Sequence, residues 1–343
     1  MRKRLRHCIR GRIPKVDAVR DGLSLTDPEE TERILADTVS RIRKNAVLRG
    51  GTIGGYVTAA IDRVELFCSR KKNCERCLTR KTASGEVEYF HKSIVCTTIG
   101  NNPHLILGQD MLGPRDGTEK DEGELTGGKR LIETLYSQHG HFADVIVADG
   151  LYLNAPFLKV VLNCHMEAVI RLKDERRLIF QDAEKLFGKG EGRKEPFYRE
   201  GKKIDCWDLD GFEIEGLEKE LRVARYCEKN EKTGEEKWVW LVTTSKEIDH
   251  KILWKMMHKR WDIEENAFHQ LKTYYHADHC YCHEAVEVIF LLMLIAFNIR
   301  EMYLYRRIHG FEGSGITRKS VTRIFRDDLQ AGDVRRILYL EGG

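Results

Sequence analysis

The sequence predicts a mixed α/β fold in which helices flank the faces of a mixed sheet, with a β-rich insertion late in the chain. Three observations lead there. Three β-leaning segments come first, between positions 56 and 99, and a helix, strand, helix, strand succession follows between 122 and 172. A charged, β-leaning stretch then separates these elements from two closing helical patterns. The content of 41% hydrophobic and 33% charged residues, with only 6 prolines, suits a folded chain with a large core and excludes a fibrous or disordered one.

The elements are expected in this order. Residues 1–15 carry seven Arg or Lys and no acid, so the rest of the chain is slightly acidic although the net charge is +4. Such an arm can neutralise DNA phosphates. Asp27 to Arg49 has apolar residues at helical spacing and acids in its first turn, which favour a helix start. Gly50, Gly51, Gly54 and Gly55 break that pattern, and Tyr56 to Ile61 is a short apolar strand running into Asp62. Val64 to Ser69 reads as a second strand. Only Asp62 and Arg63 separate the two, so a hairpin is expected there. Glu88 to Ile99, dense in β-branched and aromatic residues, is a third strand, after a polar connection from Arg70 to Gly85.

Glu122 to His139 then reads as a helix, Asp144 to Ala148 as a buried strand, Ala155 to Cys164 as a helix and Met166 to Leu172 as a strand. Lys203 to Leu209, Leu221 to Glu228 and Lys237 to Thr244 are strands of the inserted region. Helices are expected over Asp249 to Tyr275 and Glu284 to Tyr305. The expected organisation is a basic arm and helix (1–55), a first part of the core (56–172), a β-rich insertion (173–248), helices completing the core (249–310) and a tail (311–343).

The apolar run from Val288 to Ile299 is interrupted by Asn298 and falls short of the about 20 residues of a bilayer span, so a buried helix and no membrane partner are expected. The basic N-terminus has no apolar run that would make it a secretion signal. A cytoplasmic protein, with its 10 cysteines reduced, is the expectation.

The chemistry is carried by acids. Asp149 directly follows the apolar run Val145 to Ala148, and ligands of α/β sheets bind beyond the C-terminal ends of strands. Asp62 ends another apolar strand, and a hard cation such as Mg²⁺ takes carboxylate oxygens from separate chain segments. The helix from Arg260 to Lys272 can supply a third acid, because Arg260 and Glu264 share one helical face while Trp261 and Phe268 bury another. Two metal ions about 3.5 to 4 Å apart on such acids can run a phosphodiester displacement. Taken singly, a strand-end Asp is usually a turn residue and an Arg/Glu pair a solvated one.

The stretches from Asp149 to Phe157 (DGLYLNAPF) and from Arg260 to Glu264 (RWDIE) resemble the DDE transposases of bacterial insertion sequences. More narrowly they resemble the insertion-sequence-four family, with its signature Tyr-x2-Arg-x3-Glu-x6-Lys. The resemblance implies an RNase H-like core with a β-rich insertion between the second Asp and the Glu. It implies a transposase that cuts transposon ends and joins the 3′-hydroxyl to target DNA. Asp62, Asp149 and Glu264 would then be the catalytic, metal-binding triad for Mg²⁺ or Mn²⁺, two ions being expected. Arg260 and Lys272 would contact DNA phosphates. Double-stranded DNA, as terminal inverted repeats and as target, is the implied partner, with a homodimer in the synaptic complex and a bacterial, nucleoid-associated location.

Departures from the pattern are Met257 at the signature tyrosine and Arg63 where the family often has Gly. Lys272 is eight residues after Glu264 instead of seven, which on a regular helix turns it about 80° off the glutamate's face. From Glu265 the lysine spacing fits but Arg260 falls off the face, so Glu264 is preferred and Glu265 stays open. A one-residue bulge inside the helix would reconcile both spacings. The short region before Asp62 points to a reduced copy. The rival readings are an RNase H-like nuclease without strand transfer and an inactive DNA-binding relic.

Cys74-x2-Cys77 and Cys280-x-Cys282-His283 are half-sites that a zinc ion could join, with unliganded thiols as the expected state. His276, His279 and His283 are expected to pack in partly buried positions. Trp238 and Trp240, alternating on one strand, are expected in the core.

Overall fold

A computed structural model describes residues 14–114, 121–311, 315–317, 319–320 and 322–325. Most of the basic arm and most of the 311–343 tail therefore lie outside the described residues.

Helix α1 (Val16–Ser24) leads into α2 (Pro28–Lys44). The start of α2 is fixed by Asp27, whose carboxylate accepts the Glu29 N–H at 2.9 Å, and by Pro28 in the first turn. Glu29 and Glu30 at its start and Arg41, Arg43 and Lys44 at its end complement the helix dipole. Thr31, Leu35, Val39 and Ile42 form the buried face.

Next come β1 (Thr58–Ser69), β2 (Leu78–Lys81), β3 (Val87–Thr98) and β4 (Ile106–Met111). The expected hairpin at Asp62 and Arg63 is absent, because both residues belong to one continuous strand paired with β3 through Asp62↔Val95 and Arg63↔Ile94. The parallel pairing of β1 with β5 (Val145–Ala148) covers only Thr58 to Ala60. Beyond it no strand pairs with that edge of β1 among the described residues, so a polar pair is tolerated inside the strand. Strands β2 and β4, not anticipated from the pattern, share the outer edge of β3.

Helices α3 (Glu124–His139) and α4 (Ala155–Asn163) make the crossovers that bring β5 and β6 (Glu167–Arg171) parallel to β1. The strands β4, β3, β1, β5 and β6, antiparallel on one side and parallel on the other, form the mixed RNase H-like sheet flanked by helices that the sequence predicts. The segment that follows contains α5 (Leu178–Gly188), β7 (Arg193–Arg199), β8 (Lys202–Phe212), β9 (Leu221–Asn230) and β10 (Glu236–Thr243). β10 pairs with β6 through Val242↔Ile170, so the β-rich segment prolongs the core sheet. Trp240 is buried in it, but Trp238 is 47% exposed, contrary to the core placement expected for both. They lie on a face with Trp207 and Phe187 that surrounds the Arg225 guanidinium.

The single helix expected over 249–275 is divided. α6 (His250–Lys259) gives way to a π-helical turn (Ile263–Phe268) and then to α7 (His269–Tyr275). α8 (Val286–Phe311) is, among the described residues, the one helix long and apolar enough to cross a membrane by length and composition. Its Phe290, Leu291, Leu294 and Phe297 are buried in the core. Asn298, which breaks its apolar run, accepts the Ile106 N–H at 2.9 Å and donates to the Ile106 carbonyl at 2.8 Å, tying the helix to β4.

Candidate active site

The sheet register brings the two aspartates together. Ala60 pairs with Val147 in the parallel β1–β5 ladder. Carried on two residues, that register sets Asp62 level with Asp149 and on the same face of the sheet. Asp149 is the first residue past β5. Its carboxylate accepts the Gly150 N–H at 2.7 Å and so caps a short turn, Gly150 to Tyr152. Gly150 passes close to β6, where a Cβ would lie 3.0 Å from the Arg171 carbonyl. The Lys173 ammonium, just past β6, sits 2.9 Å from Asp149.

The third acid arrives from the π-helical turn. The His269 N–H donates to the Glu264 carbonyl, five residues back, so the helix carries the one-residue bulge that would reconcile the spacings. Arg260 joins the elements: one guanidinium nitrogen lies 3.2 Å from Asp62 and another 3.4 Å from Glu264. Asp262, buried beside it, accepts the Gly100 N–H at 2.9 Å and pins the turn to the loop after β3. Glu265 is exposed and takes no part. Phe268 is buried as expected, but Trp261 is 47% exposed, its ring 5.2 Å from the Arg260 guanidinium. Lys272 is exposed on α7 and makes no ion pair with the three acids.

Burial raises the Asp62 carboxyl above the ordinary range, and the Asp149 charge adds to this while the Arg63 N–H and Arg260 oppose it. Glu264 is raised in the same way, by burial first, with Asp62 and Asp149 adding to it against Arg260. For Asp149 burial is outweighed by Lys173 and the Gly150 N–H, which hold the carboxyl below the ordinary range. Three carboxylates from three chain segments thus repel one another in a half-buried place. That donor set, oxygen only, fits a hard divalent cation such as Mg²⁺.

Two participants were missed. Lys173 follows a strand end, and the logic that singled out Asp149 could have found it. Glu124, at the start of α3, pairs with Arg63 at 3.4 Å and feels the Asp62 charge. No local pattern marks it.

The two cysteine-rich half-sites meet only in part. Cys74 and Cys77 meet His91 and His283, while Cys280 and Cys282 stay outside that group. His276 and His279 are exposed, contrary to the partly buried positions expected, whereas His283 is partly buried as expected.

The family described as Transposase DDE domain matches residues 78–299, a range that includes Asp149 and Glu264 and begins after Asp62. No curated protein matches the chain. Among solved structures, the chain is similar to the piggyBac transposase synaptic complex with hairpin DNA, with a TM-score of 0.47, 13% identity and coverage of 98% of this chain and 70% of that one. It is also similar to the NurA nuclease from Sulfolobus solfataricus, with a TM-score of 0.30, 14% identity and coverage of 78% and 94%.

Proposed function

The chain belongs to the Transposase DDE domain family, and we propose that Asp62, Asp149 and Glu264 are the metal-binding acids with which this enzyme cuts and joins DNA. The observation that carries the reading is their convergence, two acids by sheet register and the third through the Arg260 bridge. On this reading the protein is the transposase of a bacterial insertion sequence of the insertion-sequence-four type, and its substrates are the terminal inverted repeats and a target duplex. Two Mg²⁺ or Mn²⁺ ions on these acids would supply activation of water or a 3′-hydroxyl and stabilisation of the leaving oxygen.

The side chains have distinct tasks. Arg260 holds Asp62 and Glu264 in one orientation, and Lys173 holds Asp149. Lys272, exposed beyond the bulge, contacts a DNA phosphate as a point charge. Two copies of the chain pair the two ends.

The experiment is Mg²⁺-dependent cleavage and joining of DNA carrying the flanking terminal repeats, by the wild type and by Asp149→Asn. The wild type should cut and join, and the variant should lose at least about 1000-fold in rate, equivalent to about 4 kcal/mol of barrier. Equal cutting by both proteins would remove Asp149 from the chemistry. Cutting without joining would leave a nuclease.

A further inference from the structure

A second cluster stands apart from the acids. Cys74 and Cys77 lie in the connection between β1 and β2, His91 lies on β3, and His283 lies between α7 and α8. The two sulfurs are 3.8 Å apart, and each is 3.5 Å from the His91 Nε2. The Cys77 sulfur is 3.1 Å from the His283 Nε2, and all four ligating atoms lie within 4.8 Å of one another. Zinc bound tetrahedrally at about 2.3 Å to sulfur and about 2.0 to 2.1 Å to nitrogen would set sulfurs about 3.8 Å apart and sulfur to nitrogen about 3.5 Å. Of the six edges of that tetrahedron, the Cys74–Cys77 and the two sulfur-to-His91 distances agree, the Cys77–His283 distance is a few tenths of an ångström short, and the other two lie within 4.8 Å.

We infer that Cys74, Cys77, His91 and His283 form a closed structural zinc site. A disulfide does not account for the arrangement, since it needs sulfurs about 2.05 Å apart and gives the two imidazoles nothing to face. Simple packing does not account for it either, because both rings turn the same nitrogen, Nε2, toward sulfur. The site is sheltered: Cys77 and His91 are 5% and 3% exposed, and the Phe67 ring packs 5.4 Å from His91 and 4.9 Å from His283. Four protein ligands leave no open position, which makes the site structural and not hydrolytic. Its soft donors favour zinc, whereas the oxygen donors of Asp62, Asp149 and Glu264 favour Mg²⁺.

The consequence concerns assembly. His283 follows the elements that carry Glu264, and Cys77 lies 206 residues earlier beside the sheet edge. A zinc ion here cross-links the β1–β2 connection and β3 to the segment that leads into α8, which closes the C-terminal helices onto the sheet.

The test uses the full chain, purified without chelator. Elemental analysis should find one zinc per chain, and Cys77→Ser and His283→Ala should lose it while Cys280→Ser keeps it. The chelator-stripped wild type, titrated with Co²⁺, should develop the intense visible bands and sulfur-to-cobalt charge transfer of a tetrahedral thiolate site. Titrated with Zn²⁺ it should melt higher, a readout that needs no variant to fold. The site is overturned if the stripped wild type shows neither the cobalt spectrum nor the thermal shift, or if Cys77→Ser retains zinc. Loss of zinc from Cys280→Ser would overturn the ligand set. None of these readouts depends on DNA cleavage, so they stand or fall separately from the transposase reading.

Discussion

The Arg260 guanidinium lies 3.2 Å from the Asp62 carboxylate although 198 residues separate the two in sequence. Arg260 is 2% exposed, and its other contact, to Glu264, makes it a bridge between β1 and the π-helical turn. Arg260→Ala should leave two partly buried carboxylates without their shared cation, costing about 1–3 kcal/mol of stability and abolishing cleavage. Arg260→Lys keeps the charge but lacks the planar fork that reaches both acids at once. It should recover most of the stability and little of the cleavage, by urea denaturation and end-cutting rates respectively. Full cleavage by the lysine variant would show that the fork does not matter.

Glu264 and Glu265, which spacing leaves open as the third acid, stand in different surroundings. Glu264 meets Arg260 and feels both aspartates, whereas Glu265 is exposed. Glu264→Gln should therefore reduce Mg²⁺-dependent cleavage by at least about 1000-fold. Glu265→Gln should stay within a few-fold of wild type in the same assay. The reverse ranking would move the third ligand by one residue.

What was legible in the sequence follows from how local each signal is. Asp149 could be read because an apolar strand ends right before it. Asp62 was expected at a strand end but lies inside β1, since Asp62-Arg63 resembles a turn in the sequence while β1 outruns β5 at this point. β4 was hidden by Gly108, Gln109 and Asp110, residues that weaken a strand pattern. Gly108 lets α3 pack close to β4, since a Cβ there would lie 2.8 Å from the tip of the Leu135 side chain. His91 could not be linked to Cys74 and Cys77 from spacing, because the β3 register and the α7–α8 connection, not chain proximity, assemble that cluster.

Glu228 sets an acid limit on stability. Burial alone would raise its carboxyl, but His258 at 2.6 Å and Lys202 at 3.0 Å outweigh burial and hold it at about 2. The Trp254 indole N–H also donates to it, at 3.1 Å, so Glu228 clamps α6 to β9. The folded value lies below the ordinary 4.5, so the unfolded chain binds more protons in that interval. The stabilisation is complete above about pH 5 and is lost as pH falls toward about 2. Glu228→Gln should cost about 2–3 kcal/mol at pH 7, with the gap to wild type narrowing below about pH 4. Urea midpoints measured across that range check this, and a gap independent of pH would contradict it.

Lys272 tests the DNA contact. It is exposed and free of ion pairs with the acids, so its replacement should disturb neither the fold nor the metal site. Lys272→Ala should weaken binding of end DNA at every sequence and lower the slope of log K against log salt by about 1. Cleavage at saturating DNA should persist. An unchanged salt slope would place Lys272 away from the phosphates.

The bulge itself makes the last prediction. The Glu264 carbonyl accepts from the His269 N–H, so the turn holds one residue more than a regular helix, and Lys272 comes into step with Glu264 as if seven residues away. Asn266 lies inside this turn and is only half-buried. Deleting it should let the helix close with regular bonds while Arg260 and Glu264 stay on one side and Leu271 stays in the core. The shortened chain should keep its stability within about 1 kcal/mol and its cleavage within about tenfold. Deleting the exposed Lys255 from α6 has no wide turn to absorb it and swings Met256 and Met257 out of their buried positions. That deletion should cost more than about 3 kcal/mol. Thermal melts and end-cutting rates of the two deletions decide the matter: equal damage from both would mean that the wide turn has a task of its own at the site.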